Sequence, residues 1–261
     1  MIRRMCVSNK LLTAGCGISQ SSFPHWPTWV KYPEITHDLQ HINVGGPASG
    51  NEFIAHNVIK NLDNIECAII VWTSFPKIDL YIESQETVDE IKTYDTRNFV
   101  LNDIGRVVEN APAWWPSSVS GGNRIKDWYY KNIYSNSHQI DKNLINIAAV
   151  QKALDSRKID YYMFLGYDSP MEKASQYGID LDKFVTLQSM YDNYYSSDWQ
   201  KKYSTTNEYG LVPVAGWHWQ FYKDYIINIL DKKFKRNNVN MEKIGEGVQA
   251  ITEKCFEKGL S

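Results

Sequence analysis

Four short apolar runs recur along the chain and predict buried strands. They lie at 10–15, 41–44, 66–72 and 159–166, and glycine closes or follows all but the third. Continuous apolar runs of this length are typical of strands that are covered on both faces. We expect the run at 66–72 to form the central strand of a sheet.

Between these runs, apolar side chains recur at three- and four-residue steps, which is the period of an amphipathic helix. Ser49 is the expected N-cap of the first clear helix. The clearest helices are predicted at 48–62, 138–156, 218–236 and 240–256. Weaker patterns predict helices at 29–39, 168–177 and 185–203, and a loop at 210–216.

Alternating strands and helices predict an α/β fold, namely a three-layer α/β/α sandwich around a mostly parallel central sheet, with a flavodoxin-like layout. We expect one domain over 1–261. In such folds, ligands bind in a crevice at the carboxyl ends of the strands. Gly15, Gly45 and Gly46 fall at those ends, where glycine lets the backbone turn sharply and approach a ligand closely.

The regular pattern is lost between 76 and 137, which predicts an irregular insertion. Long loops inside compact domains often carry function. Trp114 and Trp115 lie near the middle of the insertion, so we expect them to face a ligand or a partner. The alternative is that both indoles form a hydrophobic plug that ties the insertion to the core.

Composition narrows the classes of partner. The 261 residues carry a formal net charge of -2, so the chain lacks the basic field that general nucleic-acid binding requires. No apolar run approaches the ~18 residues of a membrane span. The N-terminal segment lacks the continuous apolar stretch of a signal peptide. We therefore expect no nucleic acid, no membrane contact and no secretion through a signal peptide.

No cofactor or metal is predicted. His37 and His41 have metal-like spacing, but the sequence offers no third ligand near them. The glycine-rich segment at 45–50 lacks the Gly-Lys-Ser/Thr ending of a phosphate loop. The four cysteines form no CxxC pair, so we expect reduced and mostly buried thiols.

Four segments in chain order carry a resemblance to one family. They read GCGIS, NVGGPASGN, ECAIIVWTS and VPVAGWHWQFYKDYI. Their order and spacing resemble the four sequence blocks of SGNH/GDSL hydrolases. They are most similar to SGNH-like proteins encoded by tailed phages of marine bacteria, cyanophages among them. The resemblance implies a viral protein in the cytoplasm of an infected bacterium or in the virion. It implies a glycan, an acylated small molecule or other virion proteins as partners.

The catalytic residues of that family do not carry over at the matching positions. Gly17 stands at the position of the nucleophilic serine, and Cys16 at that of the aspartate before it. Thr73 or Ser74 stands at the position of the third-block asparagine, and Val212 at that of the catalytic histidine. Neither Thr73 nor Val212 supplies the side-chain group that the family uses.

The resemblance retains the backbone oxyanion donors, which it places at Gly17, Gly45 and Gly46. The family's catalytic acid would fall at Tyr209, with Glu208 one residue away. An acyl-transfer enzyme also needs a nucleophile and a base within hydrogen-bond reach of each other. Those two groups are missing from their expected places.

Substitutes for the missing groups lie nearby in the sequence. Ser19 or Cys16 would act as the nucleophile and His218 as the base, with Glu208 or Asp168 orienting the imidazole. The competing interpretation is a turn serine, a core cysteine and a packed histidine. We therefore predict a noncatalytic SGNH-like protein with a binding or structural role. The alternative prediction is a carboxylic-ester hydrolase, an esterase or deacetylase, with a rearranged site.

Overall fold

The computed structural model describes residues 9–19, 22–23, 26–94, 100–102, 104, 106–117, 124–190, 204–207, 210–213 and 215–257. Its strands are β1 (Lys10–Ala14), β2 (Ser22–Phe23), β3 (Trp26–Pro27), β4 (Gln40–Asn43), β5 (Cys67–Trp72), β6 (Ile78–Ile82), β7 (Val100–Leu101), β8 (Val107–Val108), β9 (Ala113–Ser117), β10 (Asp160–Leu165), β11 (Phe184–Thr186), β12 (Ser204–Asn207) and β13 (Gly210–Pro213). Its α-helices are α1 (Tyr32–Thr36), α2 (Asn51–Lys60), α3 (Gln85–Tyr94), α4 (Arg124–Asn132), α5 (Asn136–Ser156), α6 (Ala215–Phe221), α7 (Ile227–Leu230) and α8 (Met241–Glu257). Four 3-10 turns lie at Gly17–Ser19, Trp29–Lys31, Ala174–Tyr177 and Leu181–Lys183.

Five strands form a parallel sheet in the order β11-β10-β5-β1-β4. The central strand is β5, as the sequence predicts. Its side chains alternate between two apolar clusters, with Ile69 and Val71 in one and Ile70 and Trp72 in the other. Because successive side chains of a strand point to opposite faces, these clusters lie on the two sides of the sheet.

Different parts of the chain cover the two faces. α2 and α5 contribute Val58 and Ile147 to the cluster on one face. The continuous helix formed by α6 and α7 contributes Trp217, Phe221 and Leu230 to the cluster on the other face. In this helix a π-helical segment (Tyr222–Ile226) joins α6 to α7. The predicted α/β fold, with a parallel sheet between helices, is therefore confirmed.

The first turn of α2 differs from the prediction, because the helix begins at Asn51 and Ser49 is not its cap. Ala48 has a φ of 56°, a left-handed conformation that an α-helix does not include. Ser49 Oγ donates instead to the carbonyl of Gly46 at 2.9 Å. Gly50 is the N-cap residue and offers no side chain for capping.

A carboxylate from the insertion caps α2 instead. Asp79 on β6 accepts the N–H of Gly50 at 2.8 Å and the N–H of Phe53 at 2.9 Å. Asp79 is buried. Gly50 has to be small here, because a Cβ at this position would lie 2.7 Å from Asp79 Oδ2. The cap is invisible to local sequence reasoning, since the acid comes from a strand far along the chain.

Two weaker helix predictions are wrong in extent. The segment 29–39 holds a 3-10 turn followed by α1, which ends at Thr36 because the backbone of His37 is extended. The predicted helix at 168–177 is reduced to the 3-10 turn Ala174–Tyr177. That turn ends at Gly178, whose φ of 69° is the left-handed conformation that glycine adopts readily.

Strand pairing corrects two further predictions. The predicted helix at 185–203 does not begin at Val185, because β11 extends to Thr186 and pairs with β10. The part of that prediction at 191–203 lies outside the described residues and stays a prediction. The predicted loop at 210–216 contains β13, which pairs antiparallel with β12. Strands this short carry no readable period, so the partner strand fixes them.

The insertion at 76–137 is not irregular. Its strands form an antiparallel sheet in the order β6-β9-β7-β8, and α3 and α4 belong to the same region. Val88, Ile91, Val100 and Trp115 form an apolar cluster within it. The pattern was hidden because β7 and β8 have two residues each, which is too short to show a period of two.

Candidate functional site

The crevice predicted at the carboxyl ends of the strands lies where the order of the parallel sheet reverses. β4 pairs with one side of β1, and the next strand of the sheet, β5, pairs with its other side. The direction in which strands are added therefore reverses at β1. Open α/β sheets bind ligands at such switch points. Three loops meet there, at 15–19 after β1, at 44–46 after β4 and at 73–75 after β5. We call the first two loops the crevice floor.

The glycines of the crevice floor are small because the chain itself approaches them. A Cβ at Gly15 would lie 2.4 Å from Ser19 Oγ, and a Cβ at Gly45 would lie 2.4 Å from the Ser19 carbonyl oxygen. Both distances are far below van der Waals contact. The sequence predicts that a ligand approaches these glycines, whereas in the structure the turn Gly17–Ser19 approaches them.

The predicted oxyanion donors of β4 are engaged within the protein. The N–H of Gly45 donates to Asn43 Oδ1 at 3.1 Å, and the N–H of Gly46 donates to the carbonyl of Gly15 at 3.1 Å. An incoming oxyanion would therefore have to displace an existing bond at either residue. Gly17 begins its 3-10 turn and is half-buried.

The proposed nucleophile Ser19 is buried and makes no hydrogen bond to the proposed base. Among the described residues, Ser19 Oγ has no hydrogen-bond partner, and neither does Nδ1 of His218. No hydrogen bond therefore joins the Ser19 hydroxyl to the imidazole. A nucleophile and its base need that contact, although apo geometry is often loose.

His218 is a packed histidine in α6. Its ring lies 4.8 Å from the ring of Trp217 in an edge-on arrangement, and it is buried. Burial lowers the pKa of His218 to about 3, so the imidazole is neutral at ordinary pH. A group with so low a pKa is a weak general base, because efficient catalysis needs a pKa near the working pH.

Cys16, the second candidate nucleophile, is a free and buried thiol. It belongs to the same apolar cluster as Ile18, Trp29 and Trp217. That is the position of a small core residue at the end of a buried strand. Cys16 and His218 are both buried in the protein interior.

The remaining triad candidates do not complete a site. Asp168 is exposed on the loop after β10. Val212 lies on β13, and its side chain is outside the described residues, as are Glu208 and Tyr209. No described acid hydrogen-bonds to His218 in the part of the chain that the structure covers.

The loop after β5 is held by an asparagine that the sequence did not single out. Asn51 Oδ1 accepts the N–H of Thr73 at 2.8 Å, and Asn51 Nδ2 donates to the carbonyl of Thr73 at 3.0 Å. The same Nδ2 donates to Asn143 Oδ1 at 2.6 Å. Thr73 Oγ1 is buried without a partner among the described residues. Ser74 is half-buried.

A polar network missed by the sequence analysis borders the crevice floor. The Thr13 hydroxyl donates to Asn43 Oδ1 at 3.1 Å and lies 2.6 Å from His41 Nε2. Since the hydroxyl proton goes to Asn43, His41 carries its proton on Nε2 and donates to Thr13. Burial, with a smaller effect from Lys31, lowers the pKa of His41 to about 4. This network orients the Asn43 amide that holds Gly45.

His37 and His41 do not share a metal site. His37 Nδ1 lies 2.9 Å from Thr36 Oγ1, and its Nε2 lies 3.1 Å from Asp231 Oδ1. It therefore ties the end of α1 to the end of α7. Among the described residues, no group of three or more His, Cys, Asp or Glu side chains is placed to hold a metal ion.

Trp114 and Trp115 do not face the crevice, which corrects the ligand-facing prediction. Both lie on β9, and their side chains are 5% and 3% exposed. Trp114 packs against Phe53 of α2, with ring centroids 5.8 Å apart, and Trp115 lies in the core of the inserted sheet. Adjacent residues of a strand point to opposite faces, so Trp114 and Trp115 enter two different apolar clusters.

The chain matches no family model, no curated protein and no solved structure. Across the described ranges, no helix is long and apolar enough to cross a membrane.

Proposed function

We propose that this chain is a noncatalytic SGNH-hydrolase-like protein of phage origin with a binding or structural role. The observation that carries the proposal is the packing of the crevice floor. Ser19 lies against Gly15 and Gly45, where a ligand's reacting group would have to sit. A site for acyl transfer needs open space above its oxyanion donors.

The electrostatics of the crevice favour the same conclusion. The proposed base His218 is a neutral imidazole with a pKa lowered to about 3, and it makes no hydrogen bond to Ser19. The donors at Gly45 and Gly46 are already bonded. The candidate nucleophile therefore lacks a hydrogen bond to the base, and two of the three expected donors are already bonded, although nucleophile, base and donors must act together in acyl transfer.

The SGNH-like and phage parts of the proposal rest on the resemblance of the GCG and GGPA segments to that group. The strand order β11-β10-β5-β1-β4 agrees with the SGNH-like part, because the first three strands of the sheet in chain order carry the matching segments at their carboxyl ends. The proposed locations are the cytoplasm of an infected bacterium or the virion, with a glycan, an acylated small molecule or virion proteins as partners.

The test is an activity and labelling assay on the full chain. We expect no hydrolysis of p-nitrophenyl acyl esters or acetylated sugars and no labelling by a fluorophosphonate. Iodoacetamide should react with Cys16 no faster than with Cys67, a buried free thiol whose pKa burial raises to about 12. Turnover that Ser19→Ala or Cys16→Ala abolishes would overturn the proposal.

One observation favours the alternative of a rearranged esterase or deacetylase. Ser19 Oγ and His218 Nδ1 are both buried without partners among the described residues, and buried polar groups normally have partners. A change that brought the two together would satisfy both. Under this alternative, Ser19→Ala and His218→Gln each abolish ester hydrolysis, and Cys16→Ala does not.

A further inference from the structure

The inserted sheet has an apolar core of its own. The cluster that contains Val88 and Trp115 is separate from both clusters of the parallel sheet. A small cluster of three buried side chains lies between the two parts, with Phe53 contributed by α2 and Leu101 and Trp114 contributed by the inserted sheet. A region with its own core and a small apolar contact to its neighbour can open before the rest of the molecule does.

A buried carboxylate lies in the same contact region. Asp79 of β6 is buried, and its two oxygens accept the N–H groups of Gly50 and Phe53 at the start of α2. We call these three residues the latch. Among the described residues, no lysine, arginine or histidine forms an ion pair with Asp79. When Asp79 is ionised, its charge therefore rests on two backbone N–H groups.

Other titratable side chains near the latch give the Asp79 charge little support. Glu52, in the first turn of α2, disfavours ionisation of Asp79 through its own negative charge. Lys77 favours ionisation, but less than the other contributions do. His56 of α2 packs against Trp114, with ring centroids 5.0 Å apart. It is the histidine that has to be distinguished from Asp79 in any measurement of pH dependence.

Ionisation of Asp79 and opening of the latch are coupled. A buried carboxylate loses its hydration, and two hydrogen bonds replace only part of it. Burial accordingly raises the pKa of Asp79 from 3.8 to about 6, although the bonds from Gly50 and Phe53 act in the opposite direction. Opening of the latch would return the carboxylate to water, which favours the ionised form. Each ionised Asp79 therefore weakens the attachment of the inserted sheet to α2.

We propose that the latch is a pH-sensitive switch, which holds the inserted sheet most tightly on α2 when Asp79 is protonated and loosens when Asp79 ionises. Opening would expose the two amides at the start of α2, the helix that follows the crevice floor in the chain. The attachment is strongest below about pH 4 and weakens as the pH rises through about 6. The inference goes beyond the proposed function and does not depend on it, because it concerns a movement and not a ligand or a reaction.

The test is amide hydrogen exchange of the full chain at about pH 4.5 and about pH 7.5, corrected for the intrinsic exchange rate at each pH. Peptides from β6 and β9 report on the latch. Peptides from α8 are the internal control, since α8 contributes Val248 to the cluster on the other face of the parallel sheet. We expect protection in β6 and β9 to fall by about 10-fold or more between the two pH values, and protection in α8 to change much less.

Two variants separate Asp79 from the histidine at the same contact. Asp79→Asn removes the titration and keeps one oxygen as an acceptor, so protection in β6 and β9 should lose its dependence on pH. His56→Gln is the matched control and should retain that dependence. A ¹³C NMR titration of the Asp79 carboxyl in the unsubstituted chain does not require either variant to fold. We expect its midpoint at about pH 6.

Three results would overturn the switch. They are an unchanged pH dependence in Asp79→Asn, a loss of protection in α8 equal to that in β6 and β9, and a carboxyl midpoint below about pH 4.5. The second result would mean that the molecule opens only as a whole. None of these measurements involves ester hydrolysis or labelling of Ser19, so failure of the switch and failure of the noncatalytic function are distinguishable.

Discussion

The crevice floor and helix α4 differ in how much of their surface the protein itself covers. In the floor, the N–H groups of Gly45 and Gly46 bond to the protein, and Ser19 fills the space above the glycines. On α4, Trp128 leaves more than half of its surface in solvent. The difference teaches that the groups at the switch point of this sheet are used for internal packing, whereas the indole of α4 is not.

The strongest test of the closed floor is Gly45→Ala. The new Cβ would lie 2.4 Å from a backbone oxygen of Ser19, which cannot rotate away, so the free energy of unfolding should fall by about 3 kcal/mol or more. Urea denaturation measures the loss. The matched control is Gly247→Ala in α8, where a Cβ meets nothing within 4 Å.

We expect Gly247→Ala to leave the free energy of unfolding unchanged or to raise it by up to about 1 kcal/mol, because alanine is the better helix former. If Gly45→Ala lowers the free energy of unfolding by less than about 1 kcal/mol, the crevice floor rearranges to accommodate the added methyl group. The crevice would then have room for a ligand, and the contrast between the packed crevice floor and the exposed indole of α4 would fail.

The second test concerns Asp79, which caps α2 at the border of the crevice. Asp79→Ala removes the acceptor of two buried N–H groups, so we expect the free energy of unfolding to fall by about 2 kcal/mol. Asp79→Asn keeps one carbonyl acceptor and should lose less. Thermal or urea unfolding at pH 7.5 gives both values, and equal losses would contradict the capping role.

Asp79 also predicts a pH dependence of stability. Burial raises its pKa to about 6 even though two backbone N–H bonds act in the opposite direction. Between about pH 4 and pH 6 the folded state holds a proton that the unfolded state has released. The free energy of unfolding should therefore fall as the pH rises through this range, by about 1–3 kcal/mol. Asp79→Asn should lack this decline relative to the unsubstituted chain.

The third test uses His218, whose burial has the opposite consequence. Its folded pKa is lowered to about 3, whereas an unfolded histidine binds a proton near pH 6.5. The stability from this group is present above about pH 6.5 and is lost as the pH falls toward 3. His218→Phe should reduce the acid loss by about 2–4 kcal/mol, with little change at pH 7.5. An unchanged acid loss would mean that water reaches the imidazole, and would restore it as a candidate base.

The smallest expected effect is on the stability of Trp128→Ala. An exposed ring contributes little to folding, so the free energy of unfolding should change by no more than about 0.5 kcal/mol. Trp114→Ala, a buried indole on β9, is the matched control and should lose about 3 kcal/mol or more. Equal losses in the free energy of unfolding would make Trp128 a structural residue. They would also remove the contrast between α4 and the crevice floor.

The parallel sheet could be predicted because its strands are apolar on both faces. The central strand β5 is a continuous apolar run whose side chains enter two clusters, and this pattern is visible locally. The inserted sheet could not be predicted in the same way. Its β7 and β8 are two residues each, and their position depends on pairing across the chain.

The sequence predicted that the loops after β1 and β4 meet, but it did not predict what fills the space between them. Sequence reasoning identified Gly45 as a point of close approach, yet the approaching group is the Ser19 carbonyl, which only the fold brings there. It favoured Trp114 because two adjacent tryptophans are conspicuous. The exposure of a side chain depends on which face of its element meets the core. The sequence therefore gave no reason to single out Trp128, which is exposed.

The cap on α2 has a consequence for how the molecule opens. Asp79 belongs to the inserted sheet, and its partners Gly50 and Phe53 lie 29 and 26 residues earlier in the chain. Separation of the inserted sheet would leave two amides at the start of α2 without their acceptor. α2 and the inserted sheet should therefore unfold as one cooperative unit. Hydrogen exchange at the amides of Gly50 and Phe53 should report every opening of the inserted sheet.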